Sequence, residues 1–340
     1  MPAIASLKEI LEDIYVEPGE DARRLARRYG YLEYMVERYI RILGSSAEDL
    51  LEAMEDQSIL KPVARCNNLR IDCKRLEERL RSLGFEVRRL EWSREAIEIL
   101  RTPGSPTLGS THEYLKGYYY LHRDSSPLIP PLNMDLGVGD SVLDTCAAPG
   151  GKATYIAQLI GDRGLVVAND ISLDRIRSLV SNIARMGFKS IAVTRGDARR
   201  IKDVVGRKFT RILVDAPCSA EGYIMIDPGR KRRTDQKSLA ALVRRQIEIL
   251  ASAIEILEPG GVLVYSTCSI APEENEYVVS RVLEIYGDEI FLREPSLSIW
   301  SRGIGDLWIK RISPEVRRCI RTWPHIHRTG GSFVCVIGKR

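Results

Sequence analysis

The sequence predicts an α/β protein: a doubly wound, mainly parallel sheet preceded by a helical segment and a small α/β unit. Three observations carry that expectation. From about residue 138, short apolar runs alternate with helical patterns, the signature of repeated β-α units. The sharp motifs of the chain fall where those runs end, which is where ligands of such sheets bind. A chain of 340 residues, 44% hydrophobic and 29% charged, has length for two domains or one large domain with an appendage.

Residues 1–57 read as helical. Leu7, Ile10, Leu11 and Ile14 share one helical face. Leu32, Met35, Val36, Tyr39, Ile40 and Leu43 form a second stripe that stops at Gly44, and Ser46 opens a third helix with Asp49 in the capping-box position. Residues 58–110 change character. Val63 to Leu69 and Phe85 to Leu90 read as strands around a helix from Asp72 to Leu83 that stops at Gly84. The charge here is largely arginine (Arg65, Arg70, Arg75, Arg79, Arg81, Arg88, Arg89). It suits either a solvated face balanced by Glu or a phosphate-contacting surface. The Pro-, Gly-, Ser- and Tyr-rich stretch 101–131 reads as a linker entering a binding wall, with Tyr118 to Tyr120 placed either to stack bases or to pack a core. From 111 onward the chain reads as one catalytic domain. Its strands are expected at 142–144, 165–169, 191–194, 212–215, 262–266 and 333–337, and its helices at 153–160, 173–186, 239–257 and 273–285.

A net charge of +5 and a pI near 8.8 are compatible with a nucleic-acid partner. The opening M-P-A-I-A-S-L-K-E-I lacks the regions of a signal peptide, and no apolar run reaches the roughly 18 residues that span a membrane, so a cytoplasmic protein with no membrane partner is expected. Seven cysteines in this length are not a disulfide framework. Cys66 and Cys73 lack the second pair that would complete a zinc site, so no metal is expected, and they read as unpaired thiols, with a disulfide the lesser alternative.

D-T-C-A-A-P-G-G-K, residues 144–152, is a strand ending in a glycine turn that opens a helix, a site for a ligand on backbone N–H groups. Cys146 stands where a Walker loop has glycine, and the spacing is not G-x-G-x-x-G, which disfavours nucleotide hydrolysis and NAD. Asp170 closes the next strand at the distance suited to ribose hydroxyls, with Arg175 as an orienting partner. Asp197 closes the third strand and is placed to meet an adenine amine. Three acids closing successive strands after a P-G-G turn point to S-adenosylmethionine.

Two thiols stand at two further strand ends: Cys218 in D-A-P-C-S-A-E-G and Cys268 in S-T-C-S. Methylation at C5 of a pyrimidine needs a thiolate at C6 to make C5 nucleophilic. A carboxyl beside the ring, here Asp215, assists by hydrogen bonding. A second thiol serves the elimination that follows. Either cysteine suits the nucleophile by chemistry alone. Methylation of an exocyclic amine, a rival reading, typically goes with N/D-P-P-Y/F at the Asp215 position and needs no thiol.

These blocks, with N-D-I-S-L-D-R, G-D-A-R and S-T-C-S-I-A-P-E-E-N in order, resemble the RNA cytosine-C5 methyltransferases of the Nop2/Sun (RsmB/Fmu-like) family. The resemblance spans about 115–340, and the first 100 residues look like the helical and small α/β (RRM-like) extension of several members. It implies a Rossmann-like class I methyltransferase fold with S-adenosyl-L-methionine held by Cys146, Ala147, Ala148, Pro149, Gly150, Gly151, Lys152, Asp170, Arg175, Asp197 and Asp215. It also implies Cys268 as nucleophile, Cys218 assisting release, and Asp215 and Lys152 at the reacting base. Cytosine methyltransferases acting on DNA use a Pro-Cys thiol, which would nominate Cys218 instead. A structured RNA is the expected partner, with transfer RNA favoured over ribosomal RNA, and the chain is expected to be a monomer. The alternative is an RNA maturation factor with a vestigial site. Two departures stand out. Ala220 replaces the first glycine of the family's S-G-x-G, and His122 stands where Gln is common. The run G-R-K-R-R, 229–233, is expected to meet phosphate.

Overall fold

The computed structural model describes residues 4–340. Helix α1 (Leu7–Ile14) opens with a full capping box between Ser6 and Glu9. Helix α2 (Glu20–Tyr29) is not announced by apolar periodicity, because it buries only Ala22, Leu25 and Ala26 along a strongly charged sequence. Helix α3 (Glu33–Leu43) stops at Gly44, and α4 (Ala47–Ala53) follows. Ser46 does not cap α4. Its backbone (ψ 1°) is already near-helical, continuing a 3₁₀ turn, and a capping hydroxyl needs an extended backbone.

The small unit runs β1 (Val63–Cys66), α5 (Cys73–Ser82), β2 (Glu86–Arg89), β3 (Ala96–Arg101) and β4 (Tyr119–His122). The strands form an antiparallel sheet in the order β2-β3-β1-β4. Strand β4 comes from the expected linker, so this sheet closes beyond the boundary expected at 110. Residues alternate across it. Ala64, Cys66, Ile97 and Ile99 pack with Leu76 and Leu80 of α5. Val63 and Ala96 pack instead on Tyr155 of the following domain. Both faces are therefore covered. Cys66 and Cys73 are joined, correcting the reading as free thiols: Asp72 caps α5 and sets Cys73 at its first position, 5.7 Å in Cα–Cα distance from the end of β1. A second disulfide links Cys319 to Cys335.

The main sheet contains β5 (Ser141–Asp144), β6 (Leu165–Asp170), β7 (Ile191–Arg195), β8 (Phe209–Asp215), β9 (Leu257–Thr267), β10 (Ile290–Arg293), β11 (Ser301–Arg302), β12 (Ile320–Thr322) and β13 (Ser332–Lys339). Strands β7-β6-β5-β8-β9 are parallel neighbours in that order, and β13 pairs antiparallel with β9. Strands β10 to β12 extend this antiparallel edge and were not anticipated. The chain runs outward from β5 through β6 to β7, then returns to lay β8 on the other side of β5, which makes β5 the topological switch point.

Helices α6 (Gly151–Leu159), α7 (Leu173–Met186), α8 (Gln236–Glu255) and α9 (Val278–Tyr286) cover the sheet. Leu143, Ile212, Val214, Leu263 and Tyr265 face one core with α8, α9 and the N-terminal helices. Val142, Leu213, Val262 and Val264 face the other, with Ile156 and Ile160. The helix expected from Glu273 begins as a π turn, 273–277, in which every residue is buried. The fold is thus the Rossmann-like α/β architecture that the sequence predicts. Among the described residues no helix is long and apolar enough to cross a membrane.

Arg321 of β12 is fully buried and grips Glu276 of the π turn with two bonds of 2.6 and 2.8 Å. Arg321→Met leaves that carboxylate buried and unpaired, and should lower unfolding free energy by about 3–5 kcal/mol. Urea denaturation measures this, and adding Glu276→Gln should recover part of the loss.

Candidate active site

Strand β5 delivers the glycine loop, and the local sequence dictates its shape. Gly150 adopts φ 105°, and a Cβ there would come within 2.8 Å of Leu179. The Ala148–Pro149 bond is cis. Ala147 N–H donates to Asn169 O (2.7 Å), and Ala148 N–H to Asp170 Oδ2 (3.2 Å). Asp170 is buried, accepts from Ser172 N–H as well, and pairs with Arg175 (3.3 Å), which also donates to Ala148 O. Pro149 O accepts from Asn182 (3.0 Å), and Gly151 opens α6. This loop and the ends of β6 and β8 enclose a cavity of about 240 Å³ lined by Cys146, Asp170, Asp197, Arg199, Asp215 and Pro217. Asp197 lies on its wall, but Arg199 holds its carboxylate with bonds down to 2.6 Å.

A second cavity, about 690 Å³, lies on the other side of the loop, between Pro149, Lys152 and Asp215 and the wall formed by Tyr120, His122 and Leu108. Cys146 and Asp215 border both cavities. Lys152 donates to Asp215 Oδ2 (2.7 Å), while Ser266 donates to Asp215 Oδ1 (2.7 Å). Burial pulls the Lys152 ammonium down, but the Asp215 carboxylate outweighs it, and the net shift is upward. Lys152 therefore stays a cation at neutral pH. Asp144, buried and next to Asp215, is pushed up to about 7, and its Oδ2 has no hydrogen-bond partner. Burial pushes the Cys146 thiol up to about 12, so it stays protonated. His122 is buried, accepts from Arg65 (3.4 Å), and is held neutral by burial and by the Arg65 charge.

In the parallel pairing of β8 with β9, Asp215 stands opposite Ser266. The two chains leave the sheet side by side, and Cys218 and Cys268 meet at an Sγ–Sγ distance of 3.1 Å. The hydrogen bond with Cys268 raises the Cys218 pKa well above that of an ordinary thiol, with burial adding to it. The Cys218 loop turns through Ala220 at φ 54°, the left-handed conformation that suits the glycine of S-G-x-G. Gly222 lies so close to Gly331 that a Cβ would fall 1.9 Å from the Gly331 oxygen.

The sequence does not announce the residues that brace these loops, and Arg65, read from it as part of a solvated or phosphate-contacting face, is buried. Glu274 accepts from Ser219 N–H (2.8 Å), Ser219 Oγ (2.5 Å) and Gln246 (2.9 Å). Arg65 is fully buried, bonds Thr154 (2.8 Å) and Gln158, and ties β1 to α6. The run 229–233, expected to meet phosphate, also makes contacts within the protein. Arg230 donates to Ser219 O (2.6 Å), Lys231 to Tyr29 O and Glu55, Arg232 to Gly30 O, and Arg233 to Asp227. Lys231 and Arg232 thus hold the N-terminal helical region, while Arg230 and Arg233 brace their own loop. The arginines of the small unit are also mostly paired, Arg79 with Glu113, Arg81 and Arg89 with Glu77, and Arg88 with Glu98.

Comparison with known proteins adds to this geometry. The family described as "16S rRNA methyltransferase RsmB/F" matches residues 132–337. A mouse protein named 28S rRNA (cytosine-C(5))-methyltransferase is 34% identical over 93% of this chain and 40% of its own length. A ribosomal RNA small subunit methyltransferase F of Serratia proteamaculans is 33% identical over 86% of this chain and 60% of its own. The chain thus spans about half the length of these curated relatives. Among solved structures, a methyltransferase homolog from Pyrococcus horikoshii superposes with TM-score 0.84 at 31% identity, covering 95% of this chain and all of that one. NSun6 from the same organism, with SFG, superposes at 0.77 with 25% identity, covering 89% and 97%.

Ala220→Gly should be neutral or stabilising by up to about 1 kcal/mol, because relief of the left-handed backbone offsets added chain entropy. Thermal unfolding tests this. Asp170→Asn should weaken S-adenosylhomocysteine binding by about 10- to 100-fold, the value of a charged hydrogen bond, as read by calorimetry.

Proposed function

The chain belongs to the RsmB/F methyltransferase family, and from that premise we propose that it is an S-adenosylmethionine-dependent RNA cytosine-C5 methyltransferase with Cys268 as nucleophile. The observation that carries the proposal is the thiol pair, 3.1 Å apart, beside an Asp215–Lys152 ion pair that borders the larger cavity, with Asp215 bordering the smaller one as well. The smaller cavity suits the cofactor: Asp170 lies on its wall and is fixed for the ribose. S-adenosylmethionine supplies an electrophilic methyl group when bound. The larger cavity suits an extruded cytosine, and extrusion fits a looped or single-stranded target.

The residues divide the work as follows. Cys268 sulfur adds to C6 of the ring, the C5–C6 π bond opens, and C5 becomes the carbon nucleophile. Asp215, with its charge shared between Lys152 and Ser266, accepts from the exocyclic amine and orients the ring. Once C5 carries the methyl group, its proton must leave and the C6–S bond must break. Cys218 is suited to this step only after the first. Its hydrogen bond to Cys268 is the largest cause of its high pKa, and adduct formation removes that bond. Cys218 then gives up its own proton to solvent, takes the C5 proton as a thiolate, and the released electrons re-form the C5–C6 double bond and expel Cys268 as a thiolate. Ribosomal RNA is the favoured substrate, since the named relatives above act on it. The transfer RNA favoured from sequence alone has no comparable support.

Cys218→Ala, incubated with S-adenosylmethionine and unmodified total RNA, should accumulate an RNA-linked band on denaturing gels. Cys268→Ala should give none and lose activity by at least about 1,000-fold. The reverse pattern would assign the nucleophile to Cys218. Mass spectrometry of digested RNA should show 5-methylcytidine and not its N4 isomer.

A further inference from the structure

Outside the catalytic domain, one arginine reaches both thiol loops. Arg38 lies on α3, is fully buried, and donates to Glu221 and to Glu273 Oε2 (3.0 Å). Glu221 belongs to the Cys218 loop, three residues past the thiol. Glu273 belongs to the π turn, five residues past Cys268. The two loops are also stitched directly, by Gly222 N–H to Cys268 O (3.0 Å), Ser219 Oγ to Ser269 Oγ (3.1 Å) and Ser219 to Glu274. Both loops carry buried carboxylates. Glu221, Glu273 and Glu274 are all 3% exposed or less. Burial pushes Glu221 up to about 7, even with Arg38 beside it. Like charges at such depth repel strongly. Arg38 is the cation that bonds a carboxylate from each loop, and the rings of Tyr34 and Tyr39 flank its guanidinium at 5.5 and 5.4 Å.

Docking a helix does not need this arrangement. Apolar residues of similar volume would serve at lower desolvation cost. A buried cation spanning two loops makes sense where their separation matters, and here it sets the spacing of two sulfurs.

We propose that Arg38 is a positioning residue for the thiol pair: it clamps the Cys218 loop against the Cys268 loop, so that the N-terminal helices act in product release. This rests on the reading of Cys218 and Cys268 given above. Without Arg38 the two loops lose the side chain that bonds both of them, Glu221 and Glu273 take up protons or draw in water, and Cys218 loses its place beside the adduct. A displacement of a fraction of an ångström costs about tenfold in rate, since one of about 1 Å costs on the order of 100-fold.

Two variants and two readouts test the clamp. Arg38→Lys keeps the charge but cannot span both acids with a planar fork. The triple variant Arg38→Met/Glu221→Gln/Glu273→Gln removes the clamp without leaving buried charge, which guards against simple unfolding. The first readout is bridging of Cys218 and Cys268 by dibromobimane, followed by fluorescence in the full-length protein without RNA, with Cys218→Ala as background. The second is the RNA-linked band, with Cys218→Ala as the positive control. Variants with wild-type cofactor binding and thermal unfolding should bridge about tenfold more slowly and should retain the covalent band about tenfold longer. Bridging and adduct lifetime equal to wild type in the triple variant would overturn the clamp. If Cys218→Ala itself forms no band, the methylation chemistry fails, and the bridging result alone still decides whether Arg38 sets the thiol spacing.

Discussion

Four polar side chains in succession, Glu273 to Glu276, are buried just beyond Cys268, and each is satisfied by a different part of the chain. Glu273 takes Arg38 of the N-terminal helices, and Glu274 takes Ser219 of the neighbouring loop and Gln246 of α8. Asn275 accepts from Thr267 (2.5 Å) and donates to Ser269 O (2.9 Å), and Glu276 takes Arg321 of β12. A buried carboxylate without such a partner is costly, so each pairing obliges a distant segment to be in place. The π turn is the knot at which the helical region, the parallel sheet and the antiparallel edge are fastened together. Cys268 lies at its entrance, so the geometry of one sulfur depends on all three.

The parallel register between β8 and β9 supplies the rest. Because Asp215 stands opposite Ser266, the carboxylate is anchored across the strand pair, and both loops emerge at the same level. A slip of one residue would turn Asp215 into the core and separate the sulfurs. The switch point at β5 places the glycine loop next to that pair, so the cofactor-sized cavity and the larger cleft share Cys146 and Asp215 as a common wall.

Much of this was legible in the sequence, for identifiable reasons. Helix α7 was located to the residue, because Ser172 caps it and Gly187 ends it in the left-handed conformation. The acids and thiols were legible as a set because each follows an apolar run. Helix α2 was not, since its buried stripe is two alanines and one leucine. Strand β4 hides among tyrosines in a stretch dominated by turn-forming residues. Arg38 and Arg65 were illegible for a different reason. Their partners lie far along the chain, 235 residues away for Glu273 and 93 for Gln158, and a lone arginine in a charged segment looks like surface. The disulfide at Cys66 and Cys73 depended on how α5 docks beside β1, which spacing does not encode.

The close crossing of Gly222 and Gly331 bears on how the protein comes into being. Gly331 N–H donates to Gly222 O (3.0 Å), and the strand that follows Gly331 pairs with β9 along nearly its whole length. During synthesis on the ribosome, Cys218 and Cys268 leave the exit tunnel well before residue 331 does. Until that crossing forms, the nascent chain carries two thiols whose loops lack their last backbone support. The thiol pair therefore gains its last backbone support only once the segment around Gly331 has folded onto it, and a polypeptide stalled before that segment would hold both sulfurs without holding them together.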